Sequence, residues 1–329
     1  MRAVVCEGPG DVRLVERAVP SPGPSEVLVR VSVALTCGTD LKLARRGHPR
    51  IPFPVTLGHE LCGIVEAAGR DTAFREGDRV TSAVSGPCLT CPSCRGGQEN
   101  LCARAFDHPL FGAFAEYLLV PAAIVASGLR RVPEGLAGEA AALLDPLASV
   151  VRGLARARAF LGRPDRLTLL GSGPIAALFT ALAVREGMAV DVVGRNPGRL
   201  AILAGLGARV FPRGEAVGGS PLVVDTTGNL DVIAEGMTRV NRGGALLLFA
   251  GLPKGAPITV DGERVHYDEV TLLGSFHYTP READEALSHL AAGHVPVDAL
   301  VTAHAPLEDF ALAFERAGRG EGMKTALHP

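Results

Sequence analysis

The stretch RLTLLGSGPIAALFTALAVREGMAVDVVGRN, residues 166–196, constrains this chain more than any other. An apolar run of strand length meets a glycine turn. Helical apolar spacing follows, and then a second apolar run. The pattern continues with a helix in PGRLAILAGLGA, a third strand in PLVVDTTGN, a helix in DVIAEGMTRV and a fourth strand in GGALLLFAG. Strands alternating with helices require a parallel sheet covered by helices on both faces. Residues 146–275, entered by the helical spacing of LASVVRGLARARAF, therefore form a doubly wound α/β domain.

The turn itself carries chemistry. Gly171-Ser172-Gly173-Pro174-Ile175-Ala176 fits the pattern G-x-G-x-x-G/A between strand and helix. Gly171 permits the tight turn, Gly173 lets backbone approach a pyrophosphate, and Ala176 allows close helix–strand packing. Pro174 and Ile175 open a helix whose free N–H groups face the phosphates. The second strand then selects the dinucleotide. A carboxylate at its end would bind the ribose 2′-hydroxyl of NAD. Here it ends in Gly194-Arg195-Asn196, with Arg199 nearby. Glycine removes the repulsion of a 2′-phosphate, and a guanidinium pairs with phosphate bidentately. NADP is expected, with NAD second. The competing reading makes both arginines solvated surface residues and lets Asp191, three residues upstream of Gly194, serve the ribose.

Residues 1–145 have a different texture. VLVRVSVAL (27–35) alternates at period two after the turn chemistry of SPGPSE, and GIVEAAG, REGDRVTSAV and FAEYLLVP are further short strands. READEALSHLAAG and LEDFALAFERAGRG read as two helices, so residues 276–329 return to the first domain. A chain of 329 residues suits two domains, and 47% hydrophobic residues support a sizeable core. A net charge of −2 without any Lys/Arg-rich run disfavours nucleic acid as a partner. No apolar run is long enough to span a membrane.

Four of the seven cysteines fall between residues 86 and 103, as Cys88, Cys91, Cys94 and Cys102. MRAVVCEGPG has no basic segment before an apolar one, so the expected location is the reducing cytoplasm, where structural disulfides are rare. Closely spaced thiols on a Gly/Pro-rich loop suit tetrahedral zinc. An iron–sulfur cluster and incidental thiols are the alternatives. Four ligands leave no open position, so this zinc is structural. A second centre is expected from Cys37-Gly38-Thr39-Asp40 and Gly58-His59-Glu60, where a cysteine and a histidine from separate loops converge on one zinc.

With CGTD at 37–40, GHE at 58–60, the four-cysteine lobe, GAFAEYLLVP, DPLASVVRG, GSGPIAALF and RGGALLLFAG in this order, the chain resembles the zinc-dependent medium-chain alcohol dehydrogenase family, including its polyol and threonine dehydrogenase branches. The resemblance covers essentially the whole length. It implies a GroES-like β-barrel catalytic domain (1–145 and 276–329), a Rossmann domain (146–275), and zinc-assisted hydride transfer between an alcohol and a nicotinamide. It implies that Cys37 and His59 ligate the catalytic zinc, that Glu60 ligates it or exchanges with its water, that Asp40 orients His59, and that Thr39 relays the substrate proton. Asp145 stands where relatives carry Glu before Pro and is expected as the third protein ligand, on an arm one methylene shorter. Lys42 replaces a histidine of many polyol-type relatives. It either contacts cofactor or substrate or is a plain surface lysine, and His48 is a candidate replacement in the relay. The expected substrate is a polar secondary alcohol: a polyol, sugar, cyclitol or amino alcohol. The expected assembly is a homodimer or homotetramer. Two rivals remain open: a zinc-free NADPH quinone or enoyl reductase on the same fold, and a non-catalytic zinc and nucleotide-binding module.

Overall fold

The structure, a computed structural model, describes residues 1–48 and 51–329. They divide into two compact units. One comprises Met1–Ala148, Tyr278–Gly293 and Val297–Pro329, and the other Ser149–His277 and His294–Pro296.

In the second unit six parallel strands lie in the order Arg209–Pro212, Ala189–Gly194, Arg166–Leu170, Ser220–Asp225, Val240–Leu248, Thr271–Gly274. Numbered along the chain, that is 3-2-1-4-5-6, the doubly wound order. The direction of winding reverses between Arg166–Leu170 and Ser220–Asp225. Ligands of such sheets bind beyond the carboxyl ends of the strands at this point. The three central strands, Ala189–Gly194, Arg166–Leu170 and Ser220–Asp225, are rich in Val and Leu and are almost wholly buried, as parallel strands covered on both faces require. Gly171–Gly173 and Thr226–Gly228 are the loops at the reversal. Asp225, buried at the strand end, shapes the second loop by accepting from the N–H and hydroxyl of Thr227 and from the Gly228 N–H.

The first unit holds two sheets. Seven strands make up the larger one, along the path Val301–Pro306, Lys324–His328, Val27–Leu35, Glu60–Ala68, Arg79–Ser82, Leu129–Arg131, with Tyr117–Val120 also paired to Val27–Leu35. A smaller sheet joins Asp11–Glu16, Arg2–Gly8 and Val55–Thr56. Alternate residues of Val27–Leu35 reach a core built on Val29, Val31, Leu61, Val65, Val80 and Phe114.

The structure corrects the sequence reading in two places. Arg209–Pro212 is the third strand of the parallel sheet, so PLVVDTTGN supplies the fourth, and Thr271–Gly274 adds a sixth. Between and after the two expected helices, Pro280–Ala291 and Phe310–Arg319, lie the strands Val301–Pro306 and Lys324–His328. Short strands with few alternations offer little periodic signal. Among the described residues no helix is long and apolar enough to cross a membrane.

Asp191 is an internal residue of its strand, 1% exposed, and bridges Arg166 and Arg209 of the two flanking strands at 2.7–2.9 Å. Burial alone would raise its pKa, but the hydrogen bonds and charges of Arg209 and Arg166 hold it below the ordinary carboxylate value. A depressed folded-state pKa contributes stability that is full above the unfolded value of about 3.9 and is lost as pH falls through the folded value. Asp191→Asn is therefore expected to lower stability at pH 7 by about 1–3 kcal/mol. In urea unfolding from pH 7 to pH 3, the gap to wild type should begin to narrow once the pH falls below the unfolded value of about 3.9. A gap that persists unchanged at pH 3 would contradict this account.

Candidate functional site

Cys37 ends the loop after Val27–Leu35 and is the N-cap of the helix Gly38–Arg46. His59 and Glu60 stand at the start of the adjacent strand Glu60–Ala68, which pairs Glu60 with Leu35. This pairing brings the two motifs together. One ligand atom from each of Cys37, His59 and Glu60 falls within a set whose members lie within 4.8 Å of one another. Asp40, in the first turn of the helix, is fully buried. Its Oδ1 lies 3.2 Å from His59 Nδ1 and accepts from the Gly58 N–H at 3.0 Å. Gly58 has φ +88°, and a Cβ there would lie 2.6 Å from the Phe114 backbone N, so only glycine lets this loop present its N–H to Asp40. The carboxylate fixes the ring with Nε2 as the outward donor, the usual outer-shell arrangement of a metal-bound histidine.

The electrostatics favour a cation here. Burial opposes charge on His59, but Asp40 and Cys37 outweigh it and hold its pKa well above the ordinary imidazole value. Asp40 Oδ2 is buried with no hydrogen-bond partner. A thiol, an imidazole and a carboxylate are the donor types that zinc takes, so these residues fit the metal.

Two further residues complete the surroundings, and the sequence reading missed their roles. Lys324, 3% exposed, places its Nζ 2.8 and 2.6 Å from the two carboxylate oxygens of Glu60 and 3.2 Å from the Thr36 carbonyl. Burial favours the neutral amine, yet Glu60, and beyond it Cys37 and Asp40, raise the lysine's pKa above its ordinary value. A lysine inside the apolar run MKTALH was the available signal, since a buried lysine needs a partner. Tyr278, buried, donates its hydroxyl to Asp145 Oδ1, and burial followed by the Asp145 charge raises its pKa well above normal. Asp145 Oδ1 also accepts from the Val84 N–H at 3.4 Å. Asp145 is outside the Cys37–His59–Glu60 group. Its short arm is tied to Tyr278 and Val84 in this arrangement. Thr39 is exposed in the first turn of its helix, and Lys42 and His48 are exposed further along.

The four-cysteine lobe forms as a separate cluster. Cys88, Cys91, Cys94 and Cys102 bring their sulfurs within 4.8 Å of one another. Sγ–Sγ separations are 3.5 Å for Cys91–Cys94 and Cys88–Cys102 and 4.0 Å for Cys88–Cys94. None is a disulfide. A tetrahedron with Zn–S of about 2.3 Å has S–S edges of about 3.8 Å, so the pocket has the size of one zinc. The Thr90 N–H and hydroxyl hold the Cys88 thiol down at about 5, whereas burial and the neighbouring sulfurs push Cys94 up to about 12.

In the second unit Gly173 is the N-cap of the helix Pro174–Arg185 and makes no side-chain cap. The N–H groups of Ile175 and Ala176 in the first turn thus remain available to phosphate, Pro174 having none to leave unsatisfied. Asp191 is held by its two arginines, Arg166 and Arg209. Arg195 is exposed immediately past the strand end, and Asn196 caps the next helix by accepting from the Arg199 N–H at 3.0 Å. Burial pulls the Arg199 pKa down. Gly194 has a packing reason of its own: a Cβ there would lie 2.7 Å from the Ser172 side chain. Close packing against the turn is therefore reason enough for glycine at this position.

Comparison with known proteins agrees with this layout. The family profile described as "Alcohol dehydrogenase GroES-like domain" matches residues 23–131, and "Glucose dehydrogenase C-terminus" matches 138–328. The chain is 29% identical to L-galactonate-5-dehydrogenase of Escherichia coli (strain K12), over 96% of this chain and 95% of that protein. It is 27% identical to L-threonine 3-dehydrogenase of Coxiella burnetii (strain RSA 493 / Nine Mile phase I), over 94% and 93%. A crystal structure from Sinorhizobium meliloti 1021, bound to NADP, superposes with a TM-score of 0.88 at 27% identity, covering 100% of this chain and 99% of that one.

Two substitutions separate the metal clusters. Cys94→Ser is expected to remove about one zinc per chain and to lower the melting temperature. Unchanged metal content and melting would overturn the four-sulfur assignment. Asp40→Asn is expected to weaken metal retention at Cys37–His59–Glu60 by about 10–100-fold. Residual zinc after dialysis against graded chelator measures this, and retention equal to wild type would show that His59 needs no orienting carboxylate.

Proposed function

The chain belongs to the zinc-dependent medium-chain alcohol dehydrogenases, in the branch that holds the polyol and threonine dehydrogenases, and from that premise we propose the specific reading that follows. The protein is an NAD(P)-dependent oxidoreductase of small-molecule alcohols. Its proposed substrate is a polar secondary alcohol, of the polyol, sugar, cyclitol or amino-alcohol class. Its proposed cofactors are NADP and two zinc ions per chain, and its proposed assembly is a homo-oligomer. The observation that carries the reading is the convergence of Cys37, His59 and Glu60, with Asp40 on His59 Nδ1.

Cys37 and His59 would hold the reactive zinc, with Glu60 as the third protein donor or as the acceptor for its water. Bound zinc supplies Lewis acidity toward the substrate oxygen, and the bound nicotinamide accepts the hydride. The protein's own residues do the rest. Asp40 keeps the His59 ring in one tautomer and orientation. Lys324 neutralises Glu60, so that Glu60 can leave or approach the metal position without abandoning an unpaired buried charge. Thr39 Oγ1 takes the substrate hydroxyl proton and passes it toward solvent from its exposed helical turn. Asp145, anchored by Tyr278, adds negative charge beside Glu60. Cys88, Cys91, Cys94 and Cys102 would hold a closed zinc that supports folding.

NADP is favoured because Arg195 is exposed just beyond the strand end, Asp191 is occupied, and the relative from Sinorhizobium meliloti 1021 binds NADP. Gly171 and Gly173, with the helix start at Pro174 and Ile175, would take the pyrophosphate, and Gly194, Asn196 and Arg199 would line the adenosine ribose.

A dehydrogenase screen across sugars, cyclitols, amino alcohols and short alcohols with both cofactors tests the reading. The expected result is turnover on a polar secondary alcohol and a higher kcat/KM with NADP. Arg195→Leu should reduce kcat/KM with NADP by about tenfold, a charge-assisted contact discounted for solvent exposure, and leave NAD kinetics unchanged. The packing at Gly194 makes a carboxylate there a poor converse test. An equal loss with both cofactors would show that Arg195 does not meet the 2′-phosphate.

A further inference from the structure

Glu139, His304 and His328 form a third group whose ligand atoms lie within 4.8 Å of one another, and neither zinc cluster includes them. They come from three elements of the first unit. Glu139 is in the helix Gly138–Ala142, His304 in the strand Val301–Pro306, and His328 ends the strand Lys324–His328. The two strands are parallel neighbours with His304 opposite Ala326 and Pro306 opposite His328. The histidines are thus diagonal neighbours two residues apart, on one face of the sheet. The helix packs against this sheet: a Cβ at Gly138 would contact Val33 at 3.2 Å and Cys62 at 3.8 Å.

The ring geometry is specific. His328 Nδ1 lies 3.3 Å from the carbonyl oxygen of Ser32. A carbonyl only accepts, so Nδ1 carries the proton and donates. His328 Nε2 is left with a lone pair, and it faces His304 Nδ1 at 3.3 Å. The rings are nearly parallel, at an interplanar angle of 15°. Two imidazole nitrogens bound tetrahedrally at about 2.0–2.1 Å lie about 3.3–3.4 Å apart. A backbone carbonyl on the remote nitrogen is the outer-shell partner that metal-bound histidines use. A direct hydrogen bond from His304 to His328 explains the nitrogen distance alone. It does not explain the carboxylate of Glu139 in the same group.

We propose that Glu139, His304 and His328 form a third metal site, partly open to solvent, that takes a first-row divalent transition ion such as Zn²⁺, Ni²⁺ or Co²⁺. Two imidazoles and one carboxylate select such ions over Mg²⁺ and Ca²⁺, which demand oxygen ligands. The open positions go to water. The ion clamps the helix Gly138–Ala142 to the strand that carries Lys324 to Glu60. Occupancy stabilises the folded chain by mass action.

The test is a calorimetric titration of the full-length, zinc-loaded protein with NiCl₂, and with MgCl₂ as the control ion. Wild type is expected to take up about one added nickel per chain and no magnesium, and to gain in melting temperature as nickel rises. His304→Ala removes an exposed side chain, so its nickel-free melting temperature should match wild type. Its nickel affinity should fall at least tenfold, and nickel should no longer raise its melting temperature. Glu139→Gln, which keeps the shape and removes the charge, should fall between the two. Identical nickel isotherms for wild type and His304→Ala, or no nickel uptake by wild type, would overturn the proposal.

Discussion

A lysine and a glutamate that face each other in the interior fix how the first unit's returning strand is set. Lys324 and Glu60 are 3% and 0% exposed, and the amine reaches both carboxylate oxygens. They come from opposite ends of the chain. The strand Lys324–His328 returns after the whole parallel-sheet unit has been formed, and inserts beside Val27–Leu35. The Thr36 N–H donates to the Thr325 carbonyl, and the Thr325 N–H to the Thr36 hydroxyl, so the backbone around the pair is satisfied too. Such a pair adds little net stability over an apolar substitute, but leaving one partner alone costs about 3–5 kcal/mol. It therefore specifies register: a slip by one residue would turn Lys324 away from Glu60 and leave a buried carboxylate without its cation.

The same logic of compensated burial runs through both units. Asp40 is fully buried with one oxygen met by His59 and the Gly58 N–H, and Asp191 with both oxygens met by Arg166 and Arg209. Asp225 is buried at the strand end because the loop it shapes satisfies it. Each carboxylate does local work that an apolar residue cannot, by orienting a ring, joining three strands, or shaping a turn at the point where the sheet reverses. The two donor clusters differ in their degree of closure. The four sulfurs leave no position for another ligand, whereas Cys37, His59 and Glu60 are three donors from two adjacent segments, with Glu60 already shared with Lys324.

Gly194 illustrates how one residue can answer two constraints. Read alone, it removes a carboxylate from the place where NAD would want one. In the fold, a side chain there would strike Ser172 of the glycine turn. Arg195, exposed one residue later, is the more telling position, because nothing in the packing requires a cation there.

Local signals determined a great deal. The alternation of Val27–Leu35, the strand–turn–helix–strand of residues 166–196 and the spacing of Cys88, Cys91, Cys94 and Cys102 each express a contact between residues near in sequence, and such contacts leave a periodic or spaced pattern. The motifs around Cys37 and His59 named candidate donors through the family resemblance, while the pairing of Leu35 with Glu60 brought them together. Tertiary structure alone decided what depends on residues far apart. Lys324 meets Glu60 across 264 positions, Tyr278 meets Asp145 across 133, and the short strands Arg209–Pro212 and Thr271–Gly274 exist because they pair with a sheet already present. A pairing between distant residues is set by the path of the backbone, and no window of the sequence contains both partners.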